Sequence, residues 1–320
     1  MTEIGKDITR AKQLLEAGEL VGIPTETVYG LAGNAFDPEA VAKIFSTKNR
    51  PSFDPLIVHS GSIEQISQYT EEMIPELEEL AQQFWPGPLT LLLPKKKVIP
   101  DLVTSGLEQV AVRIPSHPLT KELLLSLDFP VAAPSANPFG YISPTQASHV
   151  QDQLESKIPY ILDGGSCEIG LESTIVGVEQ GQLIIYRLGG VEVGAIKKVV
   201  GNVLILPQSS SNPKSPGMLK SHYAPRIPFE LGDLDQLVPH YLAKGEKFGI
   251  LSFNKSFDQI SPEDQYVLSE KGDFREAAKN LFAAMRYLDR RDVSVILSEE
   301  LPEKGLGKAI NDRLRRASAK

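Results

Sequence analysis

The 320-residue chain has one cysteine, Cys167, and one tryptophan, Trp85. A lone thiol cannot close an internal disulfide, and so sparse a use of cysteine fits a reducing, cytoplasmic setting. Cys167 stands beside an Asp-Gly-Gly-Ser turn with no basic neighbour in sequence to lower its pKa, so it is expected to be structural and not nucleophilic. No run approaches the roughly 18 consecutive apolar residues that a membrane span needs, and the opening MTEIGKDITRAKQ lacks a basic-then-apolar signal pattern. The five histidines, at 59, 117, 149, 222 and 240, show no metal-ligand spacing. Walker A, G-x-S-x-G and G-x-G-x-x-G are all missing, which removes the usual signatures of P-loop, serine-hydrolase and dinucleotide sites. Positive charge is scarce where it would matter for nucleic acid: residues 1–206 carry 15 Lys and Arg against 25 Asp and Glu, a net charge of −10, whereas 207–320 carry about +2. An acidic domain is a poor general binder of phosphate backbones. Its few cations should therefore be local and purposeful.

What is present is concentrated between Leu20 and His59. An apolar strand, Leu20–Ile23, stops at Pro24; a polar turn follows, Thr25-Glu26-Thr27, then Val28-Tyr29-Gly30. Asp37 as N-cap and Pro38 at the first helical position open a helix with Val41, Ile44 and Phe45 on one face. Lys48 and Arg50 flank Asn49 at its end, and a second strand, Leu56–Val58, runs to His59. Loops at strand ends are where open α/β sheets hold ligands. Downstream, Leu89–Leu93 reads as a buried strand, and Val110–Ile114 alternates with Arg113 on one face. A buried arginine needs a partner: either an ion pair with one of the glutamates, or a role as a carboxylate or phosphate clamp. Prolines stiffen the turn Pro134-Ser135-Ala136-Asn137-Pro138, and Ser143 is placed to cap a helix near 145–153. Strands near 158–162, 173–178 and 182–187 complete a mixed sheet, with Ser173 and Thr174 opening one strand and Arg187 closing the next.

The alternation of helices and strands fixes an α/β class. Three segments are expected: 1–206 as a first domain, 207–228 as a Pro/Ser/Gly-rich linker, and 229–320 as a small Rossmann-like α/β domain. In the last of these, a helix over 306–317 is expected to bury Leu306, Ile310 and Leu314 and to leave Lys308, Arg313, Arg315 and Arg316 largely exposed. The cations (Lys48, Arg50, Arg113, Arg187), the hydroxyls (Thr25, Thr27, Tyr29, Ser135, Ser143, Ser173) and His59 suit a site that binds anions and stabilises charge. Phosphoryl or nucleotidyl transfer fits that inventory.

Seven ordered motifs carry a resemblance. Pro24-Thr25-Glu26-Thr27-Val28-Tyr29-Gly30-Leu31, Lys48-Asn49-Arg50, Pro55–His59, Trp85–Thr90, Val110–Pro115, Pro134–Asn137 and Glu172–Val176, followed by Arg187-Leu188-Gly189, resemble the YrdC-type domain of L-threonylcarbamoyladenylate synthases. Ser215–Met218 and Ser221–Pro225 resemble the linker of the two-domain form. The resemblance implies a YrdC-like twisted mixed sheet joined to a small Rossmann-like domain. It also implies condensation of L-threonine, bicarbonate and ATP (with Mg²⁺) to threonylcarbamoyl-AMP and pyrophosphate. The product would pass to the tRNA threonylcarbamoyl-transferase machinery for N6-threonylcarbamoyladenosine at position 37 of ANN-decoding tRNAs. By that resemblance Lys48 and Arg50 meet carbonate and phosphate charge, and Thr27, His59, Arg113 and Ser173 hold threonine and bicarbonate. Ser135, Asn137, Ser143, Arg187 and Tyr223 hold ATP together with the two cations, with Tyr223 as a lid. No metal ligand stands out, Glu26 and Asn137 being weak candidates. The chain departs from the family's frequent residues at Asn49 (Gly), Asp54 (Asn) and Gln109 (Thr). Two other readings are an RNA-binding module, disfavoured by the charge of −10 and the lack of stacking aromatics beside basic residues, and a carbamoyltransferase of the hydrogenase-maturation type, which needs zinc fingers that one cysteine cannot build.

Overall fold

The computed structural model describes residues 1–206 and 222–319. Most of the expected linker, including Ser215–Met218, thus lies outside the described residues. The chain forms two compact units, and the short segments 140–142 and 169–171 belong with 222–319 in the second.

The first unit is built on eleven strands: β1 (Glu3–Gly5), β2 (Val21–Ile23), β3 (Gly30–Asn34), β4 (Ile57–His59), β5 (Leu89–Pro94), β6 (Gln109–Arg113), β7 (Val131–Ala132), β8 (Tyr160–Leu162), β9 (Thr174–Glu179), β10 (Gln182–Arg187) and β11 (Leu204–Ile205). Their spatial order is β1-β8-β2-β3-β7-β4-β6-β5-β9-β10-β11, with parallel and antiparallel pairs mixed. The expected mixed sheet is therefore found. At its centre Leu89, Leu91, Val110 and Val112 are fully buried, and burying each such side chain contributes about 1.5–3 kcal/mol.

Three strands of this unit, β1, β3 and β11, were not legible from periodicity. Gly-Leu-Ala-Gly-Asn looks like a loop, yet β3 pairs antiparallel with both β2 and β7. Its glycines serve close packing: a Cβ on Gly33 would stand 2.8 Å from Leu20 Cδ2. Strand β1 exists through its parallel pairing with β8, 157 residues on from Glu3 at Tyr160.

The helix opened by Asp37 spans Pro38–Lys48, and the Asp37 carboxylate accepts from Glu39 N–H at 2.9 Å. Such a cap is worth about 1 kcal/mol. Asn49 ends the helix in the left-handed region at φ 51°. Glycine and asparagine are the residues that tolerate that conformation, so the Gly-to-Asn departure has a backbone explanation. Ser143 does not cap a helix: the next one is Ala147–Leu154, its N-cap is Gln146, and the Ser143 hydroxyl instead donates to Glu172 Oε1 at 2.6 Å.

The second unit carries a four-stranded, wholly parallel sheet, β12 (Phe229–Leu231), β13 (Phe248–Ser252), β14 (Gln265–Val267) and β15 (Val295–Ser298), in the order β12-β15-β13-β14. Helices Leu234–Lys244, Phe274–Leu288 and Gly307–Ser318 connect or follow these strands. The first, unmarked in the sequence reading, holds Pro239 in its interior, a residue that weakens any helical signal.

The expectation for the last helix is wrong in one respect. Arg313 and Arg316 are buried, whereas Arg315 is exposed and pairs with Glu300 and Glu303. The Arg313 and Arg316 guanidiniums lie 5.5 and 4.8 Å from the centre of the Tyr223 ring, with Asp312 at 3.1 and 3.5 Å. A planar guanidinium stacks on an aromatic face, so cations beside an apolar stripe went inward.

Candidate active site

Strand register gathers much of the predicted site. In β4 and β6, His59 lies opposite Arg113. The β5–β6 register, with Leu91 opposite Val112, sets Thr90 against Arg113, and β9 and β10 continue the row with Ile175 opposite Thr90 and Arg187 opposite Ile175. Directly opposed residues share a face of the sheet. Five short strands thus bring an imidazole, two guanidiniums and a hydroxyl into one row.

Arg113 is buried and held on three sides. Its Nε donates to Gly87 O at 3.1 Å, Nη1 donates to Thr27 Oγ1 at 2.7 Å, and Nη2 lies 2.6 Å from Glu26 Oε1. The other Glu26 oxygen accepts the Ser116 N–H at 3.1 Å. With both oxygens so engaged and the residue 3% exposed, Glu26 serves Arg113 and the Ser116 backbone. Of the two roles left open for the strand arginine, the ion pair is present, and the guanidinium still has N–H groups left from its five for a ligand carboxylate. Thr27 also lies 2.8 Å from the Thr25 hydroxyl, which donates to Val28 O. Arg187 donates to Ser173 O at 3.0 Å and to Ser173 Oγ at 2.9 Å, and Ser173 Oγ lies 2.7 Å from Thr90 Oγ1.

Lys48 ends its helix with a fully sequestered ammonium stem, its Nζ donating to the carbonyls of Ser135 and Asn137. The Lys48 carbonyl accepts Phe139 N–H at 2.8 Å, so helix end and Pro134–Pro138 turn are locked together. Arg50 donates through Nε to Asp54 O at 3.0 Å and through Nη2 to Pro55 O at 2.8 Å, pairs with the Asp54 carboxylate at 2.9 Å, and lies over Phe139. Asp54, one of the departures noted above, thus acts on Arg50. The Asn137 side chain donates to Pro138 O at 2.9 Å. Backbone bonds tie the two groups: Ala136 N–H to Tyr29 O, and Tyr29 N–H to Pro144 O, both 2.8 Å. Tyr223 stands in the second unit, 1% exposed, with its ring 5.3 Å from that of Phe282 and 4.2 Å from that of His222.

These surroundings set the charges. Burial first, and then the Arg50 charge, bring the Lys48 pKa well below the ordinary lysine range, with Asp54 opposing. Burial, then the charge of Arg113, holds His59 at about 3. His59 is therefore a neutral hydrogen-bonding group, and its Nδ1 lies 3.2 Å from Ile57 O. Burial pushes the Cys167 thiol up to about 12, as a structural thiol should behave. Linkage fixes the sign for His59. From the ordinary 6.5 down to about 3 the unfolded chain binds a proton that the folded chain refuses. Its contribution to stability is complete above that window and is lost as pH falls through it, by up to ~1.4 kcal/mol per pH unit. The His59 ring resonances should stay flat from pH 8 to pH 5 in an NMR titration, and His59→Gln should shallow the acid dependence of the unfolding free energy. A titration midpoint above pH 5 would contradict this account.

Sequence reasoning missed the carboxylates. Glu26 and Asp54 are the counter-ions of Arg113 and Arg50, and the only available signal was that a buried strand arginine demands an acid, with no means of choosing which. Among the described residues no cluster of three or more His, Cys, Asp or Glu side chains could hold a metal ion, and no helix is long and apolar enough to cross a membrane.

Comparison with known proteins places this geometry. The family model described as "Telomere recombination", which groups Sua5, YciO and YrdC proteins, matches residues 13–189, and that described as "Threonylcarbamoyl-AMP synthase, C-terminal domain" matches 191–319. Threonylcarbamoyl-AMP synthase of Pyrococcus abyssi is 41% identical over 321 residues, covering 96% of this chain and 93% of the relative. That of Bacillus subtilis is 38% identical, covering 97% and 92%. The crystal structure of P. abyssi Sua5 complexed with L-threonine superposes with a TM-score of 0.92 at 41% identity, over 97% of this chain and 94% of that one. With the two models together matching residues 13–189 and 191–319 and relatives similar over nearly their whole length, the chain belongs to the threonylcarbamoyl-AMP synthase family, in its two-domain form.

Proposed function

We propose that the chain is a nucleotidyltransferase that makes L-threonylcarbamoyl-AMP from L-threonine, bicarbonate and ATP, releasing pyrophosphate, in the cytoplasm and for tRNA modification. The observation that carries this reading is the set of buried cations, Lys48, Arg50, Arg113 and Arg187, each held in place by protein acceptors. Such a site positions anions and neutralises developing charge, which is what phosphoryl-group chemistry asks of a protein.

The threonine amine and bicarbonate condense to a carbamate with loss of water. A carbamate oxygen then bonds to the α-phosphorus of ATP, and the bond from that phosphorus to the bridging oxygen breaks, so pyrophosphate leaves with the electron pair. Arg113, oriented by Glu26 and Thr27, holds the threonine carboxylate; neutral His59 and Ser173 flank it. Lys48 and Arg50 stabilise charge on the carbamate and phosphates. Ser135, Asn137, Ser143 and Arg187 hold ATP. Mg²⁺ would come bound to the nucleotide, held by phosphate oxygens and water and not by a protein cage, since Glu26 and Asp54 pair with Arg113 and Arg50 and Glu172 accepts from Ser143.

The test is pyrophosphate release from MgATP by the full chain, with L-threonine and bicarbonate omitted singly and then restored. Release that needs both is expected. Release independent of threonine would sink the synthase reading.

A further inference from the structure

The second unit contains two short segments that sequence order assigns to the first. Gly140–Ile142 lies between Asn137 and Ser143, and Ile169–Leu171 runs directly into Glu172 and Ser173. Both tips are gripped. Asp289, whose side chain is fully buried, accepts from Tyr141 Oη at 2.5 Å, from Ile227 N–H at 2.9 Å and from Arg226 Nε at 3.1 Å. Arg286 lies 5.1 Å from the Tyr141 ring centre and donates to Ile142 O, and Ala224 N–H donates to Gly140 O at 2.9 Å. At the other tip Gly170, at φ +73°, sits so close to helix Phe274–Leu288 that an added Cβ would stand 2.6 Å from Lys279 Cα.

The two tips converge chemically. One peptide bond beyond Ile142 is Ser143, and one beyond Leu171 is Glu172; those two side chains are hydrogen-bonded at 2.6 Å. Neighbouring Cα atoms are fixed ~3.8 Å apart by covalent geometry, so a displaced tip moves Ser143 or Glu172 with it. We infer that Asp289, Arg286 and Gly170 are positioning residues for nucleotide binding, and that the C-terminal unit holds the two loops carrying Asn137, Ser143 and Ser173 in their binding shape. This rests on the proposed function, in which Asn137 and Ser143 hold ATP.

The test uses the full chain and the pyrophosphate assay, with KM for ATP and for L-threonine measured separately, plus ATP titration by calorimetry without threonine. Tyr141→Phe removes one hydroxyl, Asp289→Asn removes the charge, and Gly170→Ala pushes on the second tip. Tyr141→Phe and Asp289→Asn are each expected to raise the KM and Kd for ATP about 5- to 20-fold, a loss expected for charge-assisted hydrogen bonds, with the threonine KM within about twofold; Gly170→Ala, which pushes on the loop carrying Ser173, is expected to raise both KM values. Thermal melting checks that each variant folds; if Asp289→Asn does not, Tyr141→Phe and Gly170→Ala decide. An unchanged ATP KM in folded variants, or equal rises in both KM values for Tyr141→Phe or Asp289→Asn, would overturn the inference while leaving the synthase reading intact. A wild-type chain without threonine-dependent release would overturn both.

Discussion

Arg113→Ala should lower kcat/KM for threonine by roughly 10³-fold, because truncating one member of a buried charged pair costs about 2–5 kcal/mol. The same change should destabilise the fold by about 3–5 kcal/mol, since it strands a buried carboxylate. That carboxylate is Glu26, which would keep only the Ser116 N–H. The two effects are separable. In Arg113→Ala/Glu26→Gln no charge is left without a partner, so denaturant titration should show most of the stability restored, while threonine-dependent turnover stays lost. If the double variant is no more stable than Arg113→Ala, the ion pair is not what holds this corner together. If Arg113→Ala retains its threonine KM, the clamp role is wrong.

Lys48→Met keeps the length of the side chain and removes its charge. It should reduce kcat by about 10²–10³-fold, the usual effect of removing one preorganised group aimed at developing charge. The threonine KM should change much less, because Lys48 touches the Ser135 and Asn137 carbonyls and not the Arg113 network. The lowered Lys48 pKa adds a signature. The ammonium form supplies the charge, so wild-type kcat should fall as pH rises through a value well below that of an exposed lysine. This alkaline limb should be missing from the residual activity of Lys48→Met. A pH–kcat profile with the same limb in both proteins would assign it to another group.

Local signals carried a good part of the fold. Asp37 and Pro38 marked a helix start that stands where expected, because capping is settled within one turn of chain. The apolar run of β5 and the alternation of β6 were legible for the same reason: strand periodicity is a property of neighbouring residues. The ordered motifs identified the family, which the full-length relatives bear out. Tertiary structure alone decided the rest. Strands β1 and β3 exist because distant partners pair with them. Arg313 and Arg316 turned inward because an aromatic ring from another segment was there to stack on. Ser143, a plausible cap by position, found Glu172 instead. Glu26 became the counter-ion of Arg113 across 87 positions of sequence, brought there by the fold. Composition and spacing determined which residue types the site would need and which faces are apolar. Which atoms meet depended on register, and register is set by pairings between segments far apart in the chain.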